Sequence, residues 1–251
     1  MLPVDYALYF VLTLAVSTVF AMGGVGSALG LVPIFHMLGI PFNLARALGL
    51  FINTASTMTA SVMNFRRGVL EVRAAMPLVL SMLVATPVGA WCGKFVPHIW
   101  VHDLMIAFLI TAAFLMLFTK RAGVAQAQQA WVLFSIGGIV GVISGLLGVG
   151  GGMLMMPALI LLGFDAKKAA RAISFVIPFS SGGAFLTYLS FTKIDWPLLG
   201  IVALAAIAGG YFGQRMMNDR LGPAQIKKGI AVLLLLLAVK MIWAHFQMMS
   251  M

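Results

Sequence analysis

The sequence predicts an all-α membrane protein, a polytopic helical bundle of two inverted repeats. Each repeat has a short broken or re-entrant helix pair plus three spanning helices. Three observations carry this prediction. Apolar runs of about 20 residues recur along a chain that is 62% hydrophobic and 9% charged, with mean hydropathy +1.08. The interruption Gly23-Gly24-Val25-Gly26-Ser27-Ala28, followed by Pro33, returns as Gly148-Val149-Gly150-Gly151-Gly152, followed by Pro157, at an offset of 124. The basic loops also alternate in opposite phase in the two halves.

The hydrophobic segments of the first half run roughly over 6–22, 28–39, 44–64, 74–95 and 103–119, and those of the second over 131–147, 153–163, 169–189, 197–214 and 229–246. The chain therefore divides into a first membrane repeat (1–119), a polar linker (120–130) and a second membrane repeat (131–251). The offset pairs Leu38 with Leu162, Gly39 with Gly163, Ala45 with Ala169, Phe51 with Phe175, Ser56 with Ser180, Ala60 with Ala184, Gly89 with Gly213 and Glu71 with Asp195. The second segment of each half is about a dozen residues, too short to cross a core of about 30 Å as a straight helix. Two readings stay open: a re-entrant hairpin with the glycines at its tip, or two short crossing helices.

Arg66, Arg67 and Arg73 crowd loop 65–73, whereas its counterpart has Lys193 alone. Loop 95–102 has Lys94 at its edge, whereas its counterpart carries Arg215, Arg220, Lys227 and Lys228. Arg46 stands against Lys167, Lys168 and Arg171. Basic loops face the cytoplasm, so this phase predicts inverted halves with both termini outside. The net charge of +10 is then mostly topological rather than a nucleic-acid signal. It also favours an anionic substrate. The single cysteine, Cys92, excludes an intrachain disulfide. The N-terminus lacks the basic lead of a cleavable signal, so none is expected.

Paired helix breaks at membrane depth point to a transport site, because lipid does not satisfy free backbone groups. Gly24, Gly26, Ser27, Gly148, Gly150, Gly151 and Gly152 are candidate substrate-binding residues. Their N–H groups and the helix starts near Ala28 and Met153 are suited to an anion. The competing role for such glycines is tight helix packing. Pro33 and Pro157 are expected to be structural helix breaks.

The third segments add Asn53, Ser56 and Thr57, and Ser174, Ser180 and Ser181. Ser56 and Ser180, paired by the offset, are the leading hydroxyls. Such groups also bond to their own i−4 carbonyls or hold helices together. The six acidic residues fall at segment ends or loops, which argues against a mid-membrane carboxylate relay. His36 is a candidate proton carrier, with an interfacial role favoured. Arg46 and Arg171, at the start of the third segments, are candidates to attract or gate an anion, but snorkelling to the interface is the favoured account for them and for Lys240. No metal-ligand spacing, catalytic triad or phosphate-binding loop is present, so neither an enzyme nor a cofactor is expected.

The run Gly141-Val142-Ile143-Ser144-Gly145-Leu146-Leu147-Gly148-Val149-Gly150-Gly151-Gly152, with Pro157 and Gly163-Phe164, resembles the signature of the sulfite exporter TauE/SafE family of membrane permeases. Asp195-Trp196 and Gly209, Gly210 and Gly213 fit as well. The first half departs, with Ser27-Ala28 in place of two glycines and Val72 in place of the tryptophan. The resemblance covers essentially the whole chain. It implies a multi-pass transporter of the bacterial inner membrane, moving sulfite, a sulfonate or a related organosulfur or carboxylate anion, commonly outward. The partners expected are the lipid bilayer and a small anion, with proton coupling and a homo-oligomer left open and no nucleic acid. A passive anion channel and a non-transporting membrane assembly protein are the alternatives.

Overall fold

The computed structural model describes residues 3–24, 26–118 and 129–219, with isolated positions between 225 and 242. Among the described residues it is helical throughout: α1 (Pro3–Met22), α2 (Ala28–Met37), α3 (Phe42–Arg66), α4 (Val72–Cys92), α5 (His98–Phe118), α6 (Ala130–Leu147), α7 (Gly152–Leu161), α8 (Ala166–Leu189) and α9 (Trp196–Asp219). Most of the linker, Val25, Arg220, Lys227 and Lys240 lie outside the described residues. So does most of the last hydrophobic segment.

The helix boundaries repeat at the offset of 124: α2 starts at 28 and α7 at 152, and they end at 37 and 161. Glycine ends α6. Gly148 takes φ +72°, its N–H bonds to Gly145 O at 3.0 Å, and Val149 N bonds to Ser144 O at 3.0 Å. This is a Schellman closure, which needs a left-handed residue. Gly24 takes the matching φ of +66° after α1. Carboxylates cap the later helices: Asp165 accepts from Lys167 N at 3.1 Å, and Asp195 from Leu198 N at 3.1 Å. Two of the acidic residues at segment ends thus serve as helix caps, whereas Glu71 precedes α4 without a side-chain cap bond.

One expectation is corrected. Pro33 does not end a helix, because α2 runs through it to Met37, and α7 likewise continues past position 157. The breaks are made by the glycines, where the backbone takes positive φ. A proline six residues into a helix removes one bond while its fixed φ still suits the helix. The side chain of Pro157 lies outside the described residues.

Helices α3, α4, α8 and α9 form the centre: α3 packs on α8 and α9, and α4 on α6 and α8, with α1 along α9. The short helices lean inward, α2 on α3 and α7 on α8. Helices approach closely where side chains vanish. A Cβ on Gly89 would collide with the carbonyl of Val142, and one on Gly213 with the carbonyl of Thr18. Phe65, Trp100, Trp131 and Leu186 stand exposed on the outside, as suits a lipid-facing surface. Four described helices are long and apolar enough to cross a membrane: Val72–Cys92, Ala130–Leu147, Lys167–Leu189 and Trp196–Asp219. Helix α3 is 25 residues long but is not among them. It carries Arg46, Asn53, Ser56, Thr57, Ser61 and Asn64, all buried.

Candidate functional site

The buried polar residues of α3 follow helical spacing. Arg46, Asn53 and Asn64 stand at i, i+7 and i+18, which places them on one stripe. Ser174, Ser181 and Tyr188 on α8 repeat every seven residues and are equally buried. The two stripes face each other in antiparallel order. Asn64 Nδ2 donates to Ser174 Oγ at 3.2 Å, Asn53 Nδ2 donates to Ser181 Oγ at 2.8 Å, and the Arg46 guanidinium lies 5.6 Å from the Tyr188 ring centre. From 46 to 64 the seam spans about 27 Å at 1.5 Å per residue, close to the hydrocarbon thickness.

Both glycine loops press on this seam. A Cβ on Gly26 would collide with Asn53 Oδ1, and one on Gly150 with Ser181 Oγ and Asn53 Nδ2. Ser180 Oγ donates to Gly150 O at 3.2 Å. Asn53 Oδ1 is buried without a partner. Farther along, Gly24 abuts the carbonyl of Ala170, while a Cβ on Gly148 would lie 2.7 Å from Cβ and Cγ of Arg46. The tight-packing role of these glycines is therefore real, and the surfaces they pack against are polar side chains and backbone.

Gly26, Gly150, Asn53, Ser180 and Ser181 meet at the centre. Ser56 and Thr57 lie on the same stretch of α3, but both hydroxyls donate to Asn53 O within their own helix. Ser180 also bonds its own turn, at Ile177 O 3.1 Å away. Ser27 Oγ accepts from Ser17 Oγ at 3.0 Å, so α1 and the loop share a contact. Gly151 faces Met82 and Ser144, and Gly152 is buried at the start of α7. Ser174 is not part of the central group. It lies two turns away, bonded to Arg171 O at 2.8 Å as well as to Asn64.

Three residues stand differently from the sequence reading, which favours the interface for Arg46, counts Tyr188 as one polar residue among several on its segment, and passes over Gln214. Arg46 does not snorkel: it is 0% exposed, with Nε and Nη2 unpartnered and Nη1 donating to Asn43 Oδ1 at 3.3 Å. Its guanidinium lies 4.6 Å from the Phe42 ring centre. Gln214 on α9 donates to Asn64 Oδ1 at 2.7 Å. Tyr188 is buried with its hydroxyl unpartnered. The signal that exposes Arg46 and Asn64 is their seven- and eleven-residue spacing from Asn53. His36 is half-buried, and its Nδ1–H donates to Ile40 O at 3.2 Å.

Two ion pairs among the described residues lie at one end. Arg67 pairs with Asp219 at 3.0 Å and Lys168 with Glu71 at 3.1 Å, so loop 67–71 meets the start of α8 and the end of α9. Lys94 Nζ lies 5.9 Å from the Phe191 ring centre, joining the sparsely charged loops.

The model of the sulfite exporter TauE/SafE family matches residues 9–241. The chain belongs to this family. It is 25% identical over 251 residues to a probable membrane transporter protein of Haemophilus influenzae, covering 96% of this chain and 97% of that one. A probable membrane transporter protein of Methanocaldococcus jannaschii is 22% identical over 250 residues, covering 90% and 93%. The probable membrane transporter protein YunE of Bacillus subtilis is 31% identical over 121 residues; that match covers 47% of this chain and 43% of YunE. The protein is thus a membrane transporter of the TauE/SafE family and not an enzyme.

Proposed function

We propose that this transporter moves a small anion, such as sulfite, a sulfonate or a related carboxylate, outward across the inner membrane by alternating access between two inverted repeats. The observation that carries the reading is the 2.8 Å bond from Asn53 to Ser181, made where Gly26 and Gly150 press on the same two side chains. Elements of both halves converge there, beside helix starts at Ala28 and Gly152 whose dipole ends favour negative charge. Gly24, Gly26, Ser27, Asn53, Ser56, Thr57, Gly148, Gly150, Gly151, Gly152, Ser180 and Ser181 are the proposed substrate-site residues. Ser174, two turns off, is proposed to line the approach.

The packing supports inversion. Gly24 meets Ala170 and Gly148 meets Arg46; Gly89 meets Val142 and Gly213 meets Thr18. Adding 124 to one partner and subtracting it from the other converts each contact into its mate. That is the signature of a two-fold relation, and the antiparallel course of α3 and α8 calls for an axis perpendicular to them. The clustering of Arg67, Lys168 and Arg215 at one end supports a cytoplasmic face there, with both termini outside.

The test is substrate-induced charge movement in proteoliposomes, with sulfite, sulfate, thiosulfate, sulfoacetate and acetate. A saturable response that supports counterflow, and that is lost in Gly150→Leu, is the expected result. Flux without counterflow would replace the transporter by a channel.

A further inference from the structure

A fully buried arginine is costly unless its charge is met. Arg46 is 0% exposed, and the ion pairs among the described residues do not include it. One guanidinium corner, Nη1, is held by Asn43 Oδ1 at 3.3 Å, and the plane rests on the Phe42 ring at 4.6 Å. The two nitrogens left over, Nε and Nη2, form one edge whose N–H bonds run parallel. That edge matches two oxygens carried on a single atom. The Tyr188 hydroxyl is buried beside the guanidinium and interacts with it, short of a well-formed hydrogen bond, so both groups face the same point. The stem of Arg46 packs against Gly148, so the side chain is carried by the second glycine loop as well as by α3. Any side chain at position 148 would push the guanidinium away.

We propose that the Nε/Nη2 edge of Arg46, with the Tyr188 hydroxyl, is the charge-recognising part of the substrate site and takes a small oxyanion with two oxygens on one atom. Sulfite, sulfonate and carboxylate groups qualify; a halide does not. The proposal rests on the anion-transporter reading and assigns its specificity to residues outside the central glycine, asparagine and serine group. It gives the seam a charged station at the Tyr188 end, about two turns from Asn53.

The test is thermal unfolding of the full chain in detergent, titrating sodium sulfite, methanesulfonate or acetate against sodium chloride at constant ionic strength. Wild type is expected to gain Tm saturably with at least one oxyanion and not with chloride. Arg46→Gln is expected to lose that response while its Tm in chloride equals or exceeds wild type, because an unpaired buried charge is gone. Arg46→Lys keeps the charge without the edge and is expected to need at least tenfold more oxyanion. Tyr188→Phe, which keeps the packing, is expected to need several-fold more. An intact oxyanion response in Arg46→Gln would overturn the proposal, as would unchanged saturation in both Arg46→Lys and Tyr188→Phe, or a wild type that ignores all three oxyanions. Charge movement in proteoliposomes separates the two readings. Flux that survives Arg46→Gln sinks this site and spares the transporter, whereas binding without flux sinks alternating access and spares the site.

Discussion

At one end of the α3–α8 pair, Asn64 donates to Ser174 at 3.2 Å and accepts from Gln214 at 2.7 Å, so three helices are tied together. At the other end, the Arg46 guanidinium and the Tyr188 hydroxyl are buried against each other, and Arg46 Nε and Nη2 have no carboxylate or carbonyl partner. Both ends are buried and polar, and both lie on the seven-residue repeat of α8. The first is largely satisfied, with Gln214 Oε1 left over, and reads as a lock between helices. The second holds a charge with no acidic partner among the described residues, and charge burial is far costlier than burial of an amide. That difference in cost is why the proposed ligand is placed at Arg46 and not at Asn64.

The largest effect should come from the two glycines that carry the ends. Gly24 meets the backbone of Ala170, which does not yield, whereas Gly148 meets the flexible stem of Arg46. Both take positive φ, so alanine at either costs about 1–2 kcal/mol in left-handed strain. Gly24→Ala should lose a further ~1–3 kcal/mol to overpacking. Equal Tm losses in the two variants would show that the ends are packed alike. Next, Asn64→Ala strands the Gln214 amide and should cost about 1–3 kcal/mol in detergent unfolding. If Arg46→Gln destabilised as much as Asn64→Ala, the contrast between lock and station would collapse.

Asn53→Ala sits between the ends. It should cost about 1 kcal/mol or less, as membrane hydrogen bonds do, yet abolish anion flux at unchanged expression. Normal flux would remove Asn53 from the site. The smallest effect belongs to the surface pair: Arg67→Ala should cost under about 1 kcal/mol, vanishing at high salt. A larger, salt-independent loss would make the Arg67–Asp219 contact a gate rather than a tether.

Much of the fold was legible in the chain because its signals are local. Apolar length marks spanning helices, glycine marks where α1 and α6 stop, and the offset of 124 carries those boundaries from one half to the other. Ser56 and Ser180 attracted notice through the same offset, but the Ser56 hydroxyl bonds its own helix and the Ser180 hydroxyl is shared between its own turn and Gly150, which spacing alone leaves open. The partners that count are Asn53 with Ser181 and Asn64 with Ser174 and Gln214, and no shift of the sequence aligns them. They are set by how α3 crosses α8 and α9.

The sequence by itself determined a helical membrane chain with two related halves, two glycine breaks and family membership, because hydropathy, glycine and the signature run are written residue by residue. Tertiary structure decided which polar groups meet. It also decided the fate of Arg46: near the start of its helix the position reads as interfacial, and only the closure of Phe42, Tyr188 and Gly148 around it makes the charge buried.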